Sequence, residues 1–100
     1  MLIYSYPYKV VRKETLMTYS KALMDLIARL RDEHDLSVHG FAVKCGIPYT
    51  TMEKLVKGEI ENPGIYTFDS IANGFEMEPY ELLSQPEFKH KTFERKKDYL

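Results

Sequence analysis

Between Ser37 and Gly58 the chain carries a small residue, Ala42, and four positions later a glycine, Gly46, with apolar residues spaced on either side. No other feature of the sequence restricts the fold as much. Phe41, Ala42 and Cys45 recur at the three- and four-residue intervals of a helix, and Met52 and Leu55 do so beyond the glycine. Two short helices joined by a tight turn satisfy this pattern. Ala42 is small enough to lie where the helices cross, and Gly46 can adopt the left-handed conformation that ends the first of them. Ile47, Met52 and Leu55 can then bind the second helix to Phe41 and Cys45. Ser37 suits the N-cap of the first helix, and the second reads as Tyr49 to Val56, after Pro48 and before Gly58.

The flanking sequence is helical as well. Tyr19, Leu23, Leu26, Ile27 and Leu30 are interleaved with Lys21, Asp25, Arg29 and Asp32, which predicts an amphipathic helix from about Thr18 to Glu33. Glu59 to Gly64, with its Asn-Pro-Gly ending, reads as a loop. Thr67 is the expected cap of a fourth helix bearing Phe68, Ile71 and Ala72 and closed at Gly74. Pro79 opens a fifth containing Leu82 and Leu83. Near the start, Tyr4, Tyr6, Tyr8 and Val10 recur with period two, as in a short strand or extended arm, and Pro7 limits any strand to an edge. Such an arm can pair with its copy in a dimer, lie along the core or be disordered. The expected organisation is an arm over 1–17, a helical domain over 18–84 and a polar tail over 85–100 with only a weak helical signal.

One hundred residues make one domain, and 44% hydrophobic with 29% charged residues is the composition of a folded globular chain. No apolar run is long enough to cross a membrane, and the opening residues lack the basic flank and apolar stretch of a secretory signal. A single cysteine, Cys45, makes no internal disulfide, which fits a reducing cytoplasm. Its spacing suits a small core hydrophobe, and His34, His39 and His90 read as surface residues. One cysteine and three scattered histidines offer no zinc-ligand spacing, so neither a metal nor another cofactor is expected. No Gly-rich phosphate loop, acid–base carboxylate pair or nucleophile motif is present, and the chain is not expected to be an enzyme. The net charge of −1 is unevenly spread. Residues 20–83 carry six Lys and Arg against eleven acids, while both ends are mildly basic. Charge by itself does not point to nucleic acid, whose partners usually carry a basic excess.

A longer series of residues does. Leu30-Arg31, Leu36-Ser37, Phe41-Ala42, Gly46-Ile47, the Tyr49–Leu55 helix, Gly58, Asn62-Pro63, Thr67, Ile71-Ala72 and Glu81-Leu82-Leu83 follow one another in an order and spacing that resembles the Cro- and repressor-like (XRE-type) helix-turn-helix family. The likeness is free of gaps from about Leu26 to Val56 and continues to Leu83. It implies an all-α, five-helix, lambda-repressor-like domain whose third helix enters the major groove of double-stranded DNA. It also implies a homodimeric transcriptional regulator of bacterial, plasmid or phage type. The family's base-contacting positions fall on Tyr49 and Thr50, with Lys54 one turn further on. Thr51 falls where a small hydroxyl residue often touches backbone or base, and Val38 where the family often carries a DNA-contacting glutamine.

Thr50 can bond a base edge and offer a methyl to thymine, and Lys54 can reach guanine. Lys44 and Lys57 can meet phosphates, as can the helix starts expected near Ser37 and Thr67. The chain departs from the family at Val38, which cannot make the glutamine contact, and at Gly40, which costs a helix on the order of 1 kcal/mol against alanine. At Val56 an acid is usual, so Arg31, its habitual partner, must turn to Glu59, Glu61 or solvent. The alternative reading is a protein-interaction module, antitoxin-like or anti-repressor, that uses the same fold with its acidic centre and tyrosine-rich arm.

Overall fold

The computed structural model describes residues 18–89, and among these it is all-helical. The arm expected over 1–17 and the part of the tail beyond 89 lie outside the described residues. Five α-helices follow in order: α1 (Tyr19–His34), α2 (Val38–Cys45), α3 (Tyr49–Val56), α4 (Ile65–Gly74) and α5 (Pro79–Leu83). A 3-10 turn, Pro86–Phe88, comes last. No helix of the described residues is long and apolar enough to cross a membrane.

α1 begins where the Oγ1 of Thr18 accepts the backbone N–H of Lys21 at 3.0 Å, replacing one of the hydrogen bonds a helix start lacks. It buries Ala22, Leu23, Leu26, Ile27 and Leu30 as one stripe against the other helices. Asp35 ends it in the left-handed conformation, at φ 54°. The N–H of Leu36 donates to the carbonyl of Arg31 at 2.9 Å, and the Nε of Arg31 donates back to the carbonyl of Leu36 at 3.1 Å. Arg31 therefore turns to backbone rather than to Glu59, Glu61 or solvent. The Nε–H of the guanidinium serves this carbonyl, and Arg31 has no ion pair among the described residues. Tyr19, expected on the core side of this helix, is 41% exposed and stacks on Phe88, with ring centroids 6.4 Å apart.

The packed region does not stop after α5. Phe88 is buried, and its ring meets Phe68 edge-on at 5.9 Å. Beside it Arg29 on α1 donates through Nε to Glu87 at 2.6 Å and through Nη2 to Gln85 at 2.8 Å, while Nη1 reaches Glu33 at 3.0 Å. The hydrogen bond from Arg29 holds the Glu87 carboxyl below the usual carboxylate range, against the smaller opposing effect of burial. A depressed carboxylate contributes stability in full above its unfolded value of about 4.3, and that contribution disappears as pH falls through the lower folded value. Glu87→Gln is therefore expected to cost about 1–2 kcal/mol near neutral pH, the worth of a charge-assisted pair mostly withdrawn from water. Urea midpoints of the two proteins should converge as pH falls through the lowered folded value of Glu87. A gap that stayed constant from neutral to acid would remove the charge from this account.

α4 starts three residues earlier than its sequence suggests. Gly64 is the N-cap, at φ −80° and ψ 166°, and Thr67 lies inside the first turn with its N–H donating to the Gly64 carbonyl at 3.0 Å. A threonine cap contributes only about 1 kcal/mol over an unfavourable residue, and glycine is itself tolerated there. Starting at Ile65 also lets the N–H groups of Thr67 and Phe68 bond within the helix. The other end falls at Gly74, as its sequence suggests, while the left-handed residue that follows is Glu76, at φ 59°. The N–H of Met77 then bonds the carbonyl of Ala72 at 2.8 Å. Gly74 answers to packing instead: a Cβ on it would lie 2.9 Å from the Sγ of Cys45, 3.0 Å from its Cα and 3.0 Å from the carbonyl oxygen of Lys44. α2 and α4 meet at backbone distance there.

Candidate nucleic-acid interface

Gly46 makes the turn between α2 and α3 at φ 68°, and the N–H of Ile47 closes it on the carbonyl of Ala42 at 2.9 Å. Ser37 opens α2, its Oγ accepting the N–H of Gly40 at 2.9 Å. Phe41, Ala42 and Cys45 of α2 and Ile47, Met52 and Leu55 after the turn are all buried. The orientation of α3 about its own axis follows from this. With Met52 fully covered and Leu55 only 3% exposed, the opposite side of the helix has to face outward.

That outward side carries Tyr49, Thr50, Glu53, Lys54 and Lys57, which by helical phase fall within an arc of about 140°. Tyr49 is 45% exposed, and Thr50 and Lys54 are exposed as well. Thr51 is half-buried at the edge of the arc, on the side of Leu55. Lys57 follows the last turn and lies 3.9 Å from the Glu53 carboxylate, a loose surface pair. Lys54 has no ion-pair partner among the described residues. Among the described residues no side chain caps the start of α3 at Pro48.

The remaining candidate residues do not all join this group. Lys44 lies over the ring of Phe75, 5.2 Å from its centroid, on the side of α2 turned toward the end of α4. Val38 is half-buried and packs against the core. Thr67, half-buried within α4, is not at its start; the helix opens at Gly64 and Ile65. Any open N–H groups on that side belong to Ile65 and Tyr66.

Burial pushes the Cys45 thiol up to about 11, against a smaller opposing pull from Lys44. It stays protonated at physiological pH, and the thiolate is the reactive form, so this side chain serves packing. One residue that spacing left on the general surface belongs with the α3 face: His39, in the first turn of α2. Its ring meets that of Tyr49 with centroids 5.8 Å apart and planes tilted by 52°. Sequence distance hides this pairing, because the two residues become neighbours only when the Gly46 turn brings the starts of both helices together. No family model matches the chain, and neither a curated protein nor a solved structure matches it.

Proposed function

We propose that the chain is a sequence-specific DNA-binding transcriptional regulator of lambda-repressor-like fold, acting as a homodimer and laying α3 in the major groove. The observation that carries this reading is the division of α3: Met52 and Leu55 are held in the core while Tyr49, Thr50 and Lys54 project from the opposite side. A major groove admits one helix, and such a helix must be anchored on one side and bear hydrogen-bonding side chains on the other. Thr50 and Lys54 have the donors and acceptors to read base edges. The resemblance of the Ser37–Gly58 region to the repressor-like family supports the same reading.

Selection of bound duplexes from a random pool, followed by gel shifts, is the direct test. The expected product is a near-palindrome with half-sites about one helical turn apart. Failure to enrich any sequence would end the proposal. Thr50→Ala should change the preferred base at one position per half-site, by about 1 kcal/mol of discrimination for a single contact. Lys57→Ala should weaken binding to all sequences alike and lower the salt slope by about 1.8, one phosphate contact per protomer of the dimer.

A second reading has its own observation. Ile65 is 65% exposed and Tyr66 84% exposed, beside a groove lined by Tyr19, Pro63, Phe68 and Leu83. An apolar surface of this kind suits protein contact. Co-purification of a stoichiometric partner that persists after Tyr49 and Lys54 are both replaced by alanine would favour this reading over DNA.

A further inference from the structure

We infer that His39 and Tyr49 act together as one contact on the DNA backbone, with the imidazole of His39 donating to a phosphate and taking up a proton as the complex forms. The inference rests on the DNA-binding reading and deepens it, since no role follows for His39 from sequence spacing. Val38, at the first position of α2, is turned toward the core, which leaves the next residue, His39, exposed. Its ring lies 5.8 Å from that of Tyr49 at the head of α3, so the two rings bridge the starts of both helices. Thr50 projects from the same end of α3, and Lys54 lies on its exposed side in the last turn.

This face carries few cations. Lys57 is only loosely paired with Glu53, and Lys44 lies over Phe75, which leaves Lys54 and Lys57 as the lysines of the α3 face. An imidazole is the further group on α2 or α3 that can become cationic. Neutral, it has one N–H donor; protonated, it has two and a charge. A phosphate oxygen facing it favours the protonated form. Affinity for a duplex should therefore rise as pH falls across the range in which histidines titrate, and decline as pH rises through it. The titratable group that meets His39 across the helix junction is Tyr49. On the chain before it, the nearest acid is Asp35 at the end of α1, and the acid of α3, Glu53, is held toward Lys57. Contact with His39 also limits the directions open to the Tyr49 ring, so the tyrosine hydroxyl is presented in a narrower range before DNA arrives.

The experiment uses the full chain and a duplex recovered by selection, with binding measured over a series of salt concentrations at about pH 6 and about pH 8. Wild type should bind about ten- to a hundredfold more tightly at the lower pH, as one additional charged contact per protomer of the dimer implies. His39→Gln should abolish that gain while melting as wild type does. Its slope of log affinity against log salt should be shallower than wild type by about 1.8, two contacts per dimer, at the lower pH and equal to it at the higher. His34→Gln, whose ring lies against Phe75 instead, should behave as wild type. If His39→Gln keeps both the pH gain and the wild-type salt slope, the inference is overturned while DNA binding stands. A uniform loss at both pH values would equally overturn it, since a merely structural role predicts that. If wild type binds no duplex at either pH, the DNA-binding reading falls and takes this inference with it.

Discussion

Phe41→Ala is expected to destabilise the chain by about 3–5 kcal/mol, the range for removing a fully buried aromatic ring. Phe41 has no exposed surface, and its ring packs against Phe75 with centroids 5.3 Å apart. Phe75 in turn meets His34 of α1 at 4.9 Å and lies beneath the ammonium of Lys44. Phe75 therefore joins α2 to the end of α1, and truncating Phe41 removes the ring against which Phe75 packs and leaves a cavity. Domains of this size are held by roughly 5–15 kcal/mol, so the loss takes a large share of the whole. Urea unfolding gives the measurement, with the midpoint falling at unchanged slope. Phe41→Leu, which keeps most of the volume, should lose much less. A change below about 1 kcal/mol for Phe41→Ala would mean that the ring does not sit in the core as described.

The second large effect is expected from the smallest substitution. Gly74→Ala adds one methyl group and should cost about 2–3 kcal/mol, the upper part of the range for overpacking. The obstructing atoms explain why. Besides the Cys45 sulfur at 2.9 Å, the new carbon would meet the Cα of Cys45 and the carbonyl of Lys44, each at 3.0 Å, and neither can rotate away. α4 must shift from α2 to admit it. Gly46→Ala makes an informative comparison, because a Cβ there meets nothing within 4 Å and its difficulty is only the left-handed backbone at φ 68°. That conformation costs a residue with a Cβ on the order of 1–2 kcal/mol. Shortening the sulfur separates the two causes: Cys45→Ala combined with Gly74→Ala should recover only part of the loss, since the backbone contacts remain. Full recovery would identify the sulfur as the whole obstruction, and a Gly74→Ala protein as stable as wild type would refute the close approach of the two helices.

The helices themselves were readable from local chemistry. Ser37 and Gly46 bracket α2 because a serine hydroxyl can replace a missing hydrogen bond and a glycine can turn left-handed, and both do so. The outward side of α3 followed from the spacing of Met52 and Leu55. Local rules failed where two signals of similar strength competed. Thr67 and Gly64 are comparable caps in isolation, and two added intrahelical bonds favour the earlier start. Gly74 carries the mark of a helix end, but the left-handed turn falls on Glu76, where no glycine announces it.

The candidate site was legible in the same uneven way. Tyr49, Thr50 and Lys54 lie on one helix, and one period is enough to group them. His39 was not found, and Lys44 was grouped with residues it does not join, because each of those relations spans two helices. Arg31 and Arg29 illustrate the same limit: one bonds the carbonyl of Leu36, the other clasps Glu87, and neither partner follows from sequence spacing.

Periodicity and turn chemistry along the chain decided which residues enter the core, since burial of an apolar stripe depends on intervals of three and four that any window of sequence displays. Which exposed side chains share a surface was decided only by how α1, α2, α3 and α4 pack, because that packing sets distances between residues that the chain keeps far apart.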